Sequence, residues 1–270
     1  MSTPAFEVED AIYRYDGVTA LDRLSLSVGE GERIAVLGAN GSGKSTLLRL
    51  LDALYFPESG MVRAFGERLA PERLADARFS VEFRRRVGFV FQNPDVQLFN
   101  PTVWDEIAFG PLQLGWTRDM IRQRISETMD FMEISHLKDR PPHRLSGGEK
   151  KRVALASVIV FDPDVLLLDE PTAALDPKSQ SKIIDLLVDW AGGVKTVVTA
   201  THQLDIVPDI ADRCVVLQQG AVVAGGPPME ILSDSRLLER TGLVHAHRHI
   251  HPGGTVHSHP HLHQHEHLES

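Results

Sequence analysis

Gly38-Ala39-Asn40-Gly41-Ser42-Gly43-Lys44-Ser45-Thr46 places four residues between two glycines and follows them with a lysine and two hydroxyl side chains. That spacing suits a loop wrapped around phosphate. Glycines permit backbone torsions that aim successive N–H groups into one hollow, and a helix starting beside Ser45 adds its positive end. Lys44 is expected to reach the β- and γ-phosphates of a nucleotide, and Ser45 to offer its hydroxyl to Mg²⁺. A second run, Val165-Leu166-Leu167-Leu168-Asp169-Glu170, is apolar until it ends in two carboxylates. The carboxyl ends of strands are where reacting groups gather in parallel sheets. Asp169 would hold the magnesium through its water shell, and Glu170 would orient or deprotonate the water that attacks the γ-phosphate. A plain glycine turn or a solvated acidic turn would explain either run alone.

Positioning these groups requires a sheet. Ile34–Leu37 is a short apolar run that meets the glycine loop, and the segment Ser45–Leu54 beyond it reads as helix. Val87–Phe91, Val165–Leu168, Thr196–Thr199 and Val215–Leu217 are four more such runs, spaced by helical or loop material. Residues 6 to 28 alternate polar and apolar positions, the pattern of antiparallel strands with one wet face. Between Gln97 and Phe161 the period becomes helical, with Met120, Ile121, Ile125, Met129 and Met132 on one face. The expected fold class is α/β: a parallel sheet core of the P-loop type, an antiparallel β subdomain, and an inserted helical subdomain at about residues 97–160.

The chain has 270 residues, 42% hydrophobic and 24% charged, with a net charge of −9. These are globular proportions. An acidic molecule lacks the positive field that holds phosphate backbones, so no nucleic-acid partner is expected. No apolar run approaches the roughly 20 residues of a membrane span, and the first residues, MSTPAFEVED, do not read as a secretory signal. A cytoplasmic location is the expectation. The single cysteine, Cys214, lies in an apolar run and reads as a small buried hydrophobe. After residue 244 the composition changes: ten of the thirteen histidines fall in a stretch with almost no bulky apolar side chain. The expected division is therefore a folded unit over 1–244 and a flexible tail over 245–270.

Leu145-Ser146-Gly147-Gly148-Glu149-Lys150-Lys151-Arg152 opens a helical run, and this motif resembles the signature of ATP-binding cassette ATPases. The resemblance covers about residues 6 to 240. It implies a chain that binds and hydrolyses ATP as a homodimer, in which Ser146, Gly147, Gly148 and Glu149 act on ATP held by the opposite subunit. It assigns Tyr15 to adenine stacking, with Tyr13 as the competing aromatic. Gln92 would touch the magnesium, alongside Ser45 and Asp169, and the attacking water; Asp176 would lie in a loop crossing the dimer interface, and His202 would bond the γ-phosphate. Asn40 stands where many members carry proline, and Glu149 where glutamine is frequent; neither change removes a phosphate donor.

Phe91–Phe99, with Val103–Pro111 behind it, is similar to the energy-coupling-factor branch of vitamin and metal importers. That likeness implies an integral membrane coupling subunit, a substrate-specific membrane subunit, and a place at the cytoplasmic face of the membrane. Asp105 and Glu106 would meet arginines of the coupling helices or serve the start of their own helix. His245, His247, His249 and His251 alternate along the tail, as do His257, His259, His261, His263, His265 and His267. Imidazoles so spaced can wrap a borderline metal ion, and with the likeness to importers this favours Ni²⁺ or Co²⁺ as cargo. Vitamin import, or a cassette ATPase working off the membrane, stand as alternatives.

Overall fold

The computed structural model describes residues 3–244, 246–250 and 256–260. Strands β1 (Phe6–Tyr15) and β2 (Val18–Val28) form the hairpin implied by the alternating pattern. Its two-residue turn is Asp16-Gly17, both with positive φ (46° and 85°), the geometry that matches strand twist. After β3 (Arg33–Leu37) and helix α1 (Lys44–Leu51), strands β4 (Ser59–Ala64) and β5 (Glu67–Arg68) complete a four-stranded antiparallel sheet in the order β2-β1-β4-β5. The helix expected to reach Leu54 stops at Leu51, because Ala53 turns left-handed at φ 52°.

Helices α2 (Pro71–Leu74) and α3 (Ala77–Arg86) lead into β6 (Val87–Val90). The helical layer follows: α4 (Val103–Gln113), α5 (Arg118–Phe131) and α6 (Gly147–Ile159). Then come β7 (Val165–Asp169), α7 (Pro177–Ala191), β8 (Thr196–Thr201), α8 (Val207–Ile210), β9 (Arg213–Gln218), β10 (Ala221–Gly226), α9 (Pro228–Ser233) and α10 (Ser235–Arg240). The second sheet runs β10-β9-β3-β8-β7-β6; all its pairings are parallel except β10 with β9.

Every residue of β7 and β8 is buried, as a strand covered on both faces requires. One apolar core joins the antiparallel sheet, α1 and one face of the parallel sheet; a second joins the other face to α4–α7, and a third sits under α8–α10. Cys214 is fully buried in β9, and burial pushes its thiol up to about 11. No helix among the described residues is long and apolar enough to cross a membrane. Beyond Val244, β11 (Ala246–Ile250) and β12 (Val256–Pro260) pair antiparallel, bringing His247 opposite His259 and His249 opposite His257. His245, His251, His261, His263, His265 and His267 lie outside the described residues.

Candidate active site

The glycine loop joins β3 to α1 at the carboxyl end of the parallel sheet. Gly38 approaches Ser42 and the next strand so closely that a Cβ there would sit 2.4 Å from Ser42 Oγ and 2.6 Å from the Leu217 carbonyl oxygen. Gly43, at φ 106°, starts α1 without a side-chain cap, and a Cβ on it would meet the Ala20 carbonyl oxygen at 2.6 Å. The first-turn N–H groups of α1 are thus left for an anion. Ser42 Oγ is buried and has no hydrogen-bond partner, an unmatched polar atom that a phosphate oxygen would satisfy.

Lys44 is 6% exposed, and its Nζ donates to the carbonyls of Gly38 (2.6 Å) and Ala39 (3.2 Å). Burial lowers its pKa, opposed by the carboxylates of Glu170 and Asp169. Ser45 Oγ donates to Asp169 Oδ1 at 3.0 Å, joining the two groups expected to share Mg²⁺. Asp169 is itself buried, which raises its pKa, while the Ser45 hydroxyl pulls the other way. Oxygen donors alone are present in this pair, which fits a hard cation. Mg²⁺ held there would neutralise phosphate charge; the chain's contribution is to hold the Ser45 hydroxyl and the Asp169 carboxylate within hydrogen-bond distance of each other.

Glu170 follows β7 with φ 47°, a backbone conformation costly for a side chain with a Cβ. Its N–H donates to the Ala200 carbonyl, which fixes the turn. The carboxylate takes the Thr201 hydroxyl at 3.1 Å, lies 2.6 Å from His202 Nδ1, and stands 4.0 Å from Lys44 Nζ. The His202 side chain is half exposed, with Nδ1 committed to Glu170.

Tyr15, Val18, residues 40–46, Gln92 and Glu170 line one cavity of about 390 Å³. A larger cleft of about 540 Å³ lies at the opposite end of the parallel strands, beside Arg86, Asp164 and Lys195. Arg86 pairs there with Asp164 at 2.6 Å and Lys195 with Asp162 at 2.9 Å, whereas the smaller cavity holds the phosphate loop and the Glu170 carboxylate. At its mouth Tyr15 meets Tyr13 edge-on (5.0 Å) and bonds Thr46 Oγ1 through its hydroxyl (3.2 Å). Tyr13 instead stacks on Tyr55 against the core. Tyr15 is therefore the aromatic that a base can reach.

Ser146, Gly147 and Gly148 do not line this cavity. Ser146 caps α6 in a reciprocal box with Glu149, whose carboxylate takes the Ser146 N–H at 2.7 Å. That bond holds Glu149 below the usual carboxylate range. Asp176 caps α7 and bonds the Ser179 hydroxyl at 2.6 Å. A Cβ on Gly148 would come within 3.0 Å of that hydroxyl, so the two helix starts are neighbours on the surface. Of the two readings open for Glu106, the local one fits: it is 4% exposed and accepts the N–H groups of Phe99 (2.8 Å) and Asn100 (2.7 Å) of the loop before its own helix. Asp105 remains exposed, bonded to Thr102.

Three bonding residues escaped sequence reasoning. Thr201 holds Glu170, Gln97 spans from the Phe91 N–H to Ser157, and Lys151 contacts the main chain of both Gln92 and Glu170. A lysine at an inward position of α6 was the one available signal for the last.

Comparison with known proteins identifies the family. The ABC transporter family model matches residues 21–173. Nickel import ATP-binding protein NikO of Rhodobacter capsulatus is 54% identical over 245 residues, covering 90% of this chain and 96% of that one. Energy-coupling factor transporter ATP-binding protein EcfA of Methanothermobacter thermautotrophicus is 41% identical over 240 residues, 88% of this chain and 75% of the other. The solved structure of cbiO1 from Clostridium perfringens, described as part of the ABC transporter complex cbiONQ, has a TM-score of 0.76 at 38% identity, covering 90% of this chain and 96% of that one. The family match runs through both the phosphate loop and the acidic strand end, and the chain accordingly belongs to the ABC transporter family as one of its ATP-binding, ATP-hydrolysing cassettes.

Proposed function

We propose that this cassette energises uptake of nickel or cobalt ions, working as a homodimer at the cytoplasmic face of the membrane on an integral coupling subunit and a substrate-specific subunit. The observation that carries the cargo is the tail, whose ten alternating histidines suit borderline divalent ions. The relative from Rhodobacter capsulatus is by name a nickel import protein, which supports the same choice. Cassettes of this family dimerise and dock on membrane subunits. In the dimer, Ser146 and the N–H groups of Gly147 and Gly148 would complete the partner's γ-phosphate seat, since they lie away from their own chain's cavity.

Docking on the coupling subunit has a matching surface. Val96, Phe99, Phe109 and Leu112 are 66%, 68%, 41% and 57% exposed around the start and one side of α4, with Asp105 beside them. Phe99 and Phe109 meet edge-on at 5.1 Å, and these exposed apolar side chains follow Gln92 in the chain, which would let a membrane-protein helix docked on them feel nucleotide occupancy. Within the site, Lys44 and the α1 N–H groups would bind the phosphates, Glu170 would take the proton of the attacking water, and His202 would steady the γ-phosphate.

The test is metal uptake in cells carrying this chain together with its membrane subunits. Nickel or cobalt should accumulate with the wild-type cassette and not with Lys44→Ala, while a polytopic protein copurifies with both in detergent. Accumulation that ignores Lys44, or a cassette that never copurifies with a membrane protein, sinks the transport reading.

A further inference from the structure

The segment after β6 is strapped to one face of α6 by side chains from both sides. Lys151, 3% exposed, donates from Nζ to the Gln92 carbonyl at 2.5 Å and to the Glu170 carbonyl at 3.2 Å. One helical step away, Lys150 pairs with Asp95 at 2.7 Å. Further along α6, Gln97 Nε2 donates to the Ala154 carbonyl (2.9 Å) and Ser157 Oγ (3.0 Å), while Gln97 Oε1 takes the Phe91 N–H (3.3 Å). Positions 150, 154 and 157 share one helix face, and Lys151 lies about 100° around from Lys150 at the inward side. Ser146 caps the same helix.

From this we infer that Lys151 is a positioning residue that makes the two nucleotide sites of the dimer act together, by locking the main chain at Gln92 and Glu170 to the helix that carries Ser146. Its partners are backbone oxygens, so the tie fixes where Gln92 and Glu170 stand whatever rotamers they adopt. An ammonium has three donors, enough to serve both carbonyls at once. Burial pushes the Lys151 ammonium down to about 8, and the carboxylates of Asp169 and Glu170 oppose that fall. A helix moves as a rod, so a shift of Gln92 on meeting a γ-phosphate displaces Ser146, which in the proposed dimer seats the opposite γ-phosphate. Each site thereby reports its occupancy to the other.

The inference rests on the trans placement of Ser146, and that placement has its own control. Chains bearing Ser146→Arg and Lys44→Ala are each expected to be inactive, yet mixed they unite one intact composite site, because both defects fall in the other one. Hydrolysis regained on mixing supports the trans placement; none regained overturns it.

The role of Lys151 is tested by hydrolysis against ATP concentration in the full chain. Wild type should be cooperative, with a Hill coefficient approaching about 2 for two sites. Lys151→Met, which keeps length and burial but donates nothing, should drop toward about 1 with turnover at least about tenfold lower, while binding of a labelled ATP analogue stays within about twofold. Lys151→Gln, whose amide still donates two N–H groups, should restore cooperativity. Gln97→Ala, which cuts a separate strap, should lower the Hill coefficient in the same direction and gives a reading even if Lys151→Met does not fold. Unchanged cooperativity in Gln97→Ala and in a folded Lys151→Met, or a fall in nucleotide affinity and melting temperature that tracks the loss of turnover, would overturn the assignment.

Discussion

Glu170 is held by three different kinds of neighbour: the Thr201 hydroxyl, the His202 ring and, at the edge of ion-pair range, Lys44. Its φ of 47° is retained against a steric cost because the Ala200 carbonyl anchors its N–H. A residue so constrained is aimed rather than free. Exchange of Glu170 for Gln preserves size and the Thr201 bond but removes the proton acceptor. ATP hydrolysis should fall by at least about 10²-fold, the scale of a lost general base, while labelled ATP binds within a few-fold of wild type. Turnover close to normal would take Glu170 out of the reaction. The residues of this site differ in how readily they could be read beforehand. Lys44, Ser45, Asp169 and Glu170 sit in short contiguous runs whose spacing is dictated by a loop and a strand end. Lys151 and Gln97 act through partners 59 and 57 residues away, and no local pattern encodes such a distance.

At the scale of elements, α1 carries a second buried charge at its other end. Asp52 caps the C-terminus of α1 at 5% exposure, and burial pushes its carboxyl up to about 7, with Arg84 at 3.6 Å pulling weakly down. The folded state therefore holds a proton that the unfolded chain releases near 3.8. Stability from this group is fully present below about pH 4 and is lost as the pH rises to about 7. Asp52→Asn stays neutral throughout, so its melting temperature should exceed wild type at pH 8 and match it at pH 4. Each kcal/mol corresponds to about 2 to 4 °C in a domain of this size. Melting curves at the two pH values decide it; an equal gap at both would mean that the charge is not the cause. The elements were legible where their pattern was strong: β7 is apolar up to Asp169, and β1–β2 alternate over most of their length despite the register shifts between Val8 and Arg14. The strand β4, Ser59–Ala64, was missed because Ser-Gly at its start reads as a turn, and its pairing with β1 is what extends it. Tertiary pairing overrode weak local preference there.

Taken whole, the third core reaches past α10, with Leu237 and Leu238 buried and Leu243 packed against it. Every group assigned to nucleotide chemistry lies before Val207. Truncation after Val244 should consequently leave ATP hydrolysis by the isolated chain unchanged and remove most nickel or cobalt binding, as titration calorimetry of the two forms would show. Metal binding that survives truncation would place the ions elsewhere and withdraw the tail's support for a metal cargo. The aromatic residues are partitioned between the cores in a way that reaches beyond stability. All three tyrosines, Tyr13, Tyr15 and Tyr55, cluster within 5.0 to 5.8 Å of one another, Tyr15 lining the nucleotide cavity and the other two packed against the first core behind it. All three tryptophans, Trp104, Trp116 and Trp190, pack against the other core, on the helical layer and α7. In optical terms the protein is a two-colour instrument: its tyrosine bands in near-ultraviolet circular dichroism belong to the cluster beside the phosphate loop, its tryptophan bands to the helical half, and each half carries its own chromophore without any added label.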